Sequence, residues 1–338
     1  MSEIPQSDTI ADLIDAHYAS KKENPRPHLG CSMIGNPCDR WLWLSFRWAV
    51  IEQFKGRILR LFKRGHMEET TVVENLRAIG MTITHTGQDQ ARVSFGASVS
   101  GSIDGIIESG VIGAPKTPHI LEIKTHSKKS FDDLEKHGVE QSKPVHYAQI
   151  QVYMLGKKLD RALYVSVCKD DDRLYTERVR LDKPAAEKLV DRGRRIALSD
   201  RLPEPLSADP SWYQCKFCPG HEFCFDGHLT KQVNCRTCAH STSTEENKFI
   251  CSRWDNAPIP YEHQITGCPS HVLHPDLVPW QMGDSASDWE AVYIIRGKPV
   301  RNGEGCANTY TSRELIYHHG VAGDKFVDDV KAFGGHIC

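Results

Sequence analysis

The chain lacks several features that would each point to a function. No apolar run approaches the roughly 20 residues a membrane helix needs, so no membrane partner is expected. There is no GxxxxGK[ST] loop, which argues against a helicase-type motor. No glycine-rich nucleotide loop is visible either, which argues against a redox or electron-transfer protein, a class that only the cysteines suggest. Neither sign of charge dominates: 42 Lys and Arg face 44 Asp and Glu, the net charge is −2, and the pI is about 6.8. No global basic field draws the chain to nucleic acid, although a local patch suffices for phosphate contacts. No internal repeat or low-complexity segment occurs. The opening MSEIPQSDTI shows no basic-then-apolar pattern. The expectation is a cytoplasmic protein, in a bacterium or a phage-infected host cell.

Cysteine is abundant, with twelve in 338 residues. Clustered C-x2-C pairs in a reducing compartment point to metal rather than to disulfides. The length allows a sizeable core and two domains. We place the boundary between residues 1–229 and 230–338.

Residues 101–125, GSIDGIIESGVIGAPKTPHILEIKT, read as two strands. Ile103–Glu108 and His119–Thr125 flank a loop with Gly110, Gly113, Pro115 and Pro118. Alternation puts Glu122 and Lys124 on one face and Ile123 on the other. If the strands pair as neighbours, Asp104 lies beside Glu122. Two carboxylates brought together need a cation. A hard divalent ion with oxygen ligands suits that need, and Mg²⁺ is the usual choice for phosphate chemistry. A lysine there can orient a water or offset charge developing on phosphate. The competing reading is a weak ion pair on a solvated sheet face.

Residues 7–22 read as an amphipathic helix capped by Ser7 or Asp8, with Ile10, Leu13, Ile14 and Tyr18 on one face. Residues 52–79 read as one long helix. Its Lys55, Arg57, Arg60, Lys63 and Arg64 form a cationic stripe, either a solvated face or a DNA-backbone contact. His66 follows, either a core histidine or a metal ligand, with Glu69 one turn on. Lys128–Gln141 is a loop or short helix. A helix from Pro144 to about Leu159 stacks Gln149 and Tyr153 on one face. Strands at 161–167 and 173–181 and a helix at 184–198 complete an α/β core with a mixed sheet.

Cys215, Cys218 and Cys224 have the spacing C-x2-C-x5-C, three thiols of a metal site whose fourth ligand comes from elsewhere. His221 and His228 are spare ligands for zinc. Cys235, Cys238, Cys251 and Cys268 have the spacing C-x2-C-x12-C-x16-C, which fits a ribbon-like tetrahedral Zn²⁺ site, with His240, His263 and His271 as alternates. Such a site would staple a small C-terminal α+β module that binds DNA or a partner protein, or only caps the core. Further on, 291–295 and 298–301 form a hairpin over Arg296-Gly297, and Thr311 opens a short helix. Cys168, Cys306 and Cys338 are expected to be free thiols.

In sequence order, His66, Asp104, Glu122-Ile123-Lys124 and Gln149-x3-Tyr153 resemble motifs I to IV of the PD-(D/E)XK nuclease superfamily in its RecB-like branch. The resemblance covers roughly residues 30–225, and the order of the motifs carries it more than any single one. It implies a central mixed sheet flanked by helices. Asp104, Glu122, the Ile123 carbonyl and His66 would then hold Mg²⁺ or Mn²⁺, and Lys124 would act on the attacking water. Gln149 and Tyr153 would sit near that water or the DNA. The C-x2-C-x5-C triad after a helix is similar to that of RecB-like nucleases with an iron–sulfur cluster, including the AddB nuclease domain and CRISPR-associated exonucleases. By that resemblance Cys38, with Cys215, Cys218 and Cys224, would hold a structural 4Fe–4S cluster, zinc being the alternative metal and Cys31 a rival to Cys38. The activity implied is exonucleolytic hydrolysis of DNA ends or single strands in recombination or repair. A compact nuclease without helicase motifs suits a phage, and a single-strand annealing or recombination protein would be its partner. The alternatives are a structure-specific or restriction-like endonuclease and a non-catalytic DNA-binding adaptor.

Overall fold

The computed structural model describes residues 9–21, 23–284, 287, 289–305 and 308–337. Ser7 and Asp8, the expected helix caps, and the thiols Cys306 and Cys338 lie outside them. Helix α1 (Ile10–Ala19) begins instead at an N-cap Thr9, whose capping box with Asp12 satisfies two end donors. Its expected apolar face stays in solvent, with Ile10, Leu13 and Ile14 exposed.

The chain then runs through β1 (Leu29–Gly30), α2 (Asp39–Phe46), α3 (Gly56–Ala78), β2 (Thr82–Thr84), β3 (Arg92–Ser94), β4 (Val99–Ser102), β5 (Gly105–Ser109) and β6 (His119–His126). Next come α4 (Lys128–Ser142), α5 (Pro144–Lys157), β7 (Arg161–Cys168), β8 (Leu174–Arg180) and α6 (Lys183–Leu198). The long helix starts four residues later than expected. Gly56 lies where α1 crosses, and a Cβ there would come within 1.9 Å of the Asp15 carbonyl oxygen.

The main sheet has the order β2-β5-β6-β7-β8. Only β6 and β7 are parallel, with Glu122 opposite Tyr164 and Lys124 opposite Ser166. A parallel pair needs a long crossover, which α4 and α5 supply. Both faces of this sheet are covered. Leu121, Ile123, Leu163 and Val165 pack with Val72, Val73 and Leu76 of α3. Ile120, Ala162, Tyr164 and Val179 share a core with residues of α2, α5 and α6. Two-sided burial is why RALYVSV reads as a continuous apolar run rather than an alternating one.

The strand expected at 103–108 begins two residues later, at Gly105. β4 belongs to a small sheet of order β1-β4-β3, and β5 to the main sheet. The chain changes sheets between Ser102 and Gly105, and Asp104 occupies the junction.

Two short helices follow, α7 (Tyr213–Lys216) and α8 (His221–Phe225). The remainder holds a sheet of β9 (Ser241–Ser243), β10 (Phe249–Cys251) and β11 (Ala257–Pro258), then α9 (Tyr261–Thr266). A second sheet joins β12 (Gln281–Met282), β13 (Ala291–Ile295) and β14 (Lys298–Asn302), followed by α10 (Ser312–His318) and α11 (Lys325–Ala332). The hairpin turns at Arg296 and Gly297, both at positive φ. Thr311 caps α10 in a capping box with Glu314. Val272, Leu273, Tyr293 and Leu315 form a separate small core, whereas Phe249 and Leu277 belong to the main one. Among the described residues, no helix is long and apolar enough to cross a membrane.

Candidate active site

The period-two geometry of β6 lines Glu122, Lys124 and His126 along one face. Tyr164 and Ser166 stand opposite on β7, and α5 brings Gln149 and Tyr153 over them. Asp104 enters from the β4–β5 junction, where its Oδ2 accepts the Ile123 N–H at 2.8 Å. The backbone of the Glu-x-Lys strand thereby orients the aspartate.

Glu122 is fully buried. Its Oε1 accepts a hydrogen bond from Lys124 Nζ, while its Oε2 is buried without a partner. Gln149 Oε1 and Ser166 Oγ are also buried and unpartnered. Gln149 Nε2 donates to the Tyr153 hydroxyl at 3.2 Å. Tyr153 reaches this place because residue 101 is glycine: a Cβ there would lie 2.9 Å from the Tyr153 ring and hydroxyl.

Burial pushes the Glu122 carboxyl up to about 8, the carboxylates of Asp104 and Glu69 adding to the rise and Lys124 opposing it. Burial also raises Glu69, to about 7, with Asp104 adding. Burial disfavours the charged form of Lys124, but the three carboxylates outweigh it and raise its pKa. If all three carboxylates ionise, they leave two negative charges against the Lys124 ammonium. A divalent cation matches that charge, and the unpartnered Glu122 Oε2 is a vacant oxygen ligand for one.

His66 stands apart. It is exposed on α3, and the carboxylate that enters the group from this helix is Glu69, three residues further on. The basic stripe is partly spent inside the molecule: Arg60 pairs with Asp15 at 2.8 Å, and Arg64 donates to the Lys169 carbonyl at 3.0 Å. Lys55, Arg57 and Lys63 remain exposed.

A further group was not anticipated. The Tyr164 hydroxyl lies 3.0 Å from both His126 Nε2 and His146 Nδ1, and the two imidazoles stack at 5.5 Å. Burial lowers both histidines, with Lys143 and Lys124 adding, to about 4 for His126 and about 3 for His146. They are therefore neutral at physiological pH and add no positive charge beside the carboxylates. The signal was present in the spacing: His126 continues the Glu122–Lys124 alternation, and His146, Gln149 and Tyr153 follow a helical i, i+3, i+7 stripe.

The cysteines gather in two places. Cys38, Cys215, Cys218 and Cys224 line one cavity of about 250 Å³, with Trp41 and Phe217 among its apolar walls. Cys31 is buried elsewhere, against Gly101. Burial raises the Cys218 thiol to about 11, and the other three thiols of the set act on it. In the second place, burial raises Cys235 to about 12, and Cys268, Cys238 and Cys251 all contribute. Among the described residues, no three His, Cys, Asp or Glu side chains are already closed into a metal-holding arrangement. In each set the thiols are neighbours that have not converged on one point.

No protein-family model matches the chain, and no curated protein is significantly similar to it. Among solved structures, the chain is similar to SSO0001, with 15% identity, 64% of this chain and 93% of that chain covered, and a TM-score of 0.37. It is also similar to LHK-Exo in complex with dAMP, with 15% identity, 55% and 90% covered, and a TM-score of 0.37. A second structure of LHK-Exo, an alkaline exonuclease from Laribacter hongkongensis, has 15% identity, the same coverage and a TM-score of 0.33. Likeness at this level leaves the activity to be argued from the site itself.

Proposed function

We propose that the chain is a divalent-metal-dependent deoxyribonuclease of the PD-(D/E)XK type that hydrolyses phosphodiester bonds, acting as an exonuclease on DNA ends or single strands. One observation carries this reading: a fully buried glutamate, Glu122, keeps an unpartnered carboxylate oxygen beside Asp104 and Lys124. A purely structural ion pair would have its oxygens satisfied.

Asp104, Glu122 and Glu69 would hold the ion, with the Ile123 carbonyl and His66 as the further ligands the motif resemblance implies. Bound Mg²⁺ or Mn²⁺ supplies a Lewis acid for the scissile phosphate and makes a bound water more acidic. Lys124 offsets charge that develops on the phosphate and orients the attacking water. The Ile123 N–H keeps Asp104 aimed at the site. Gln149 and Tyr153 close its roof, with the Gln149 carbonyl oxygen available to a water or a DNA group. Lys55, Arg57 and Lys63 are the free part of a DNA-backbone contact.

The cavity lined by Cys38, Cys215, Cys218 and Cys224 fits a thiolate-held group in its donors and its apolar walls. The reading is a structural 4Fe–4S cluster joining α2 to α7 and α8, and zinc is the alternative. Iron and sulfide content, with the visible absorption of the purified protein, separates the two.

The test of function is incubation of linear and covalently closed circular DNA, single- and double-stranded, with Mn²⁺ and either wild type or Glu122→Ala. Loss of linear DNA alone, abolished by the substitution, is the expected result. Cutting of closed circles would make the enzyme an endonuclease. If wild type degrades nothing, the non-catalytic DNA-binding reading takes over; if Glu122→Ala matches an active wild type, the catalytic reading of residues 101–125 is wrong.

A further inference from the structure

Two arginines are buried between the second cysteine group and α2. Arg236 stands between Cys235 and Cys238, and its side chain is almost wholly buried. Its guanidinium stacks 3.7 Å from the Trp48 ring and 4.2 Å from the Phe249 ring. Its three acceptors are all neutral: the Phe46 carbonyl and the Pro27 carbonyl at 2.8 Å each, and Gln264 Oε1 at 2.9 Å. Arg47, also buried, donates to the Arg236 carbonyl at 3.3 Å and the Ser241 carbonyl at 3.2 Å, and pairs with Asp200 at 2.6 Å. Burying a guanidinium against neutral acceptors is costly unless an anion stands close.

The backbone brings the four thiols together, and Cys238, Cys251 and Cys268 all act on Cys235. Asn234 caps the turn that carries Cys235, its side chain accepting the Arg236 N–H at 2.9 Å. The Cys238 N–H donates back to the Cys235 carbonyl at 3.2 Å. β10 places Cys251 opposite Ser241, three residues beyond Cys238. Cys268 follows Gly267, whose positive φ turns the chain past the backbone of Val233 and Asn234. The four thiols thus come from three segments that meet at one turn. The N–H groups of His240 and Val272 point at the Cys238 sulfur and hold its pKa below what burial alone would impose.

We propose that Cys235, Cys238, Cys251 and Cys268 bind one Zn²⁺ as a tetrathiolate, and that this centre holds the turn from which Asn234 and Arg236 reach the C-terminal end of α2. The proposal stands independently of the nuclease reading. Binding releases four protons, one from each thiol, with no change of oxidation state. Four thiolates around Zn²⁺ carry two net negative charges, and the Cys238 sulfur already acts on the buried Arg47 guanidinium. The consequence reaches α2. The carbonyls of Phe46, Trp48 and Ala49, at and just past its C-terminal end, are taken by Arg236, Asn234 and Thr230. Its N-cap is Cys38, whose sulfur accepts the Trp41 N–H. The zinc centre therefore fixes one end of the helix whose other end belongs to the first thiol group.

The test uses the full-length protein. Zinc is counted by elemental analysis in wild type and in Cys268→Ser, Cys218→Ser and Cys168→Ser. The wild type is also reloaded with Co²⁺, and its visible spectrum is read for a tetrahedral tetrathiolate. Cys268 is exposed, so its substitution spares the core. We expect Cys268→Ser to hold one zinc per chain fewer than wild type, Cys168→Ser to match wild type, Cys218→Ser to keep the zinc that Cys268→Ser loses, and tetrathiolate bands for Co²⁺. Chelation should also speed amide exchange over residues 43–49 at least about tenfold, which would be about 1.4 kcal/mol of local protection lost. Full zinc in Cys268→Ser, or a disulfide within the four cysteines in native protein, overturns the site. Unchanged exchange over 43–49 after zinc removal overturns its role at α2.

Discussion

Buried carboxylates take up protons when no cation is at hand, and Glu122 and Glu69 are both in that position. Glu69 offers a clean test because its pKa is raised from 4.5 to about 7 by burial and by Asp104. The folded state then holds more protons than the unfolded chain between those values. The stability Glu69 contributes is present below about pH 4.5 and is lost as pH rises towards 7. Without metal, Glu69→Gln should gain on wild type in thermal stability across that window, and Mn²⁺ should cancel the gain. Lys124 separates binding from catalysis. Lys124→Met should lower turnover by about 10²- to 10³-fold, the usual scale for losing one preorganised charge-stabilising group. Mn²⁺ should bind the variant at least as tightly, since a positive charge has gone. Equal losses in both would mean Lys124 only holds Glu122. That Glu122 and Lys124 share a face was legible in the sequence because alternation in a strand is strict. The place of Glu69 beside Asp104 and Lys124 was not, because residues three apart on α3 share a face and only the helix's rotation on the sheet decides which of them turns inward. Tyr164 was hidden for another reason: in a strand buried on both sides, a tyrosine that bonds His126 and His146 looks like any core residue.

At the scale of elements, the site depends on how closely three of them approach. β4 passes under α5 at Gly101, where a Cβ would meet the Cys31 Cβ and the Tyr153 ring at 2.9 Å each. Gly101→Ala should destabilise the fold by about 1–3 kcal/mol, the usual cost of overpacking, and weaken Mn²⁺ binding by shifting Tyr153. Gly65 in α3 is the control, because nothing lies within 4 Å of a Cβ there. Gly65→Ala should stabilise by about 1 kcal/mol through helix propensity. Denaturant unfolding reads both, and a shared sign would contradict the packing account. Most elements were readable from apolar period and from caps such as Thr311. The break at Asp104 was not, since IDGIIE reads as one strand until the second sheet is known. The lateness of α3 is a contact effect with α1 at Gly56, which local propensity does not encode.

For the whole molecule, the residues after 229 cover the core rather than hanging from it. Phe249 packs on Phe46 at 5.4 Å between ring centroids, and His274 bonds the Asp200 carbonyl at 3.0 Å. Removing residues 230–338 would leave the Phe46, Trp48 and Ala49 carbonyls without these partners and bare the Phe46 side of the core. The truncated chain should lose its cooperative thermal transition, while full-length protein should show the main core and the 230–278 segment unfolding together. The motif order and the thiol spacing were visible in the sequence. The junction was not, because it is made by single side chains, Arg47, Asn234 and Arg236, whose roles appear only when distant segments meet.

The central claim is that residues 101–125 build a divalent-cation site, and Mn²⁺ binding measured by electron paramagnetic resonance tests it most directly. Wild type should hold a tight Mn²⁺ ion that Asp104→Asn and Glu122→Gln both lose while remaining folded. Wild type without a tight ion, or variants that bind as well as wild type, would contradict the account.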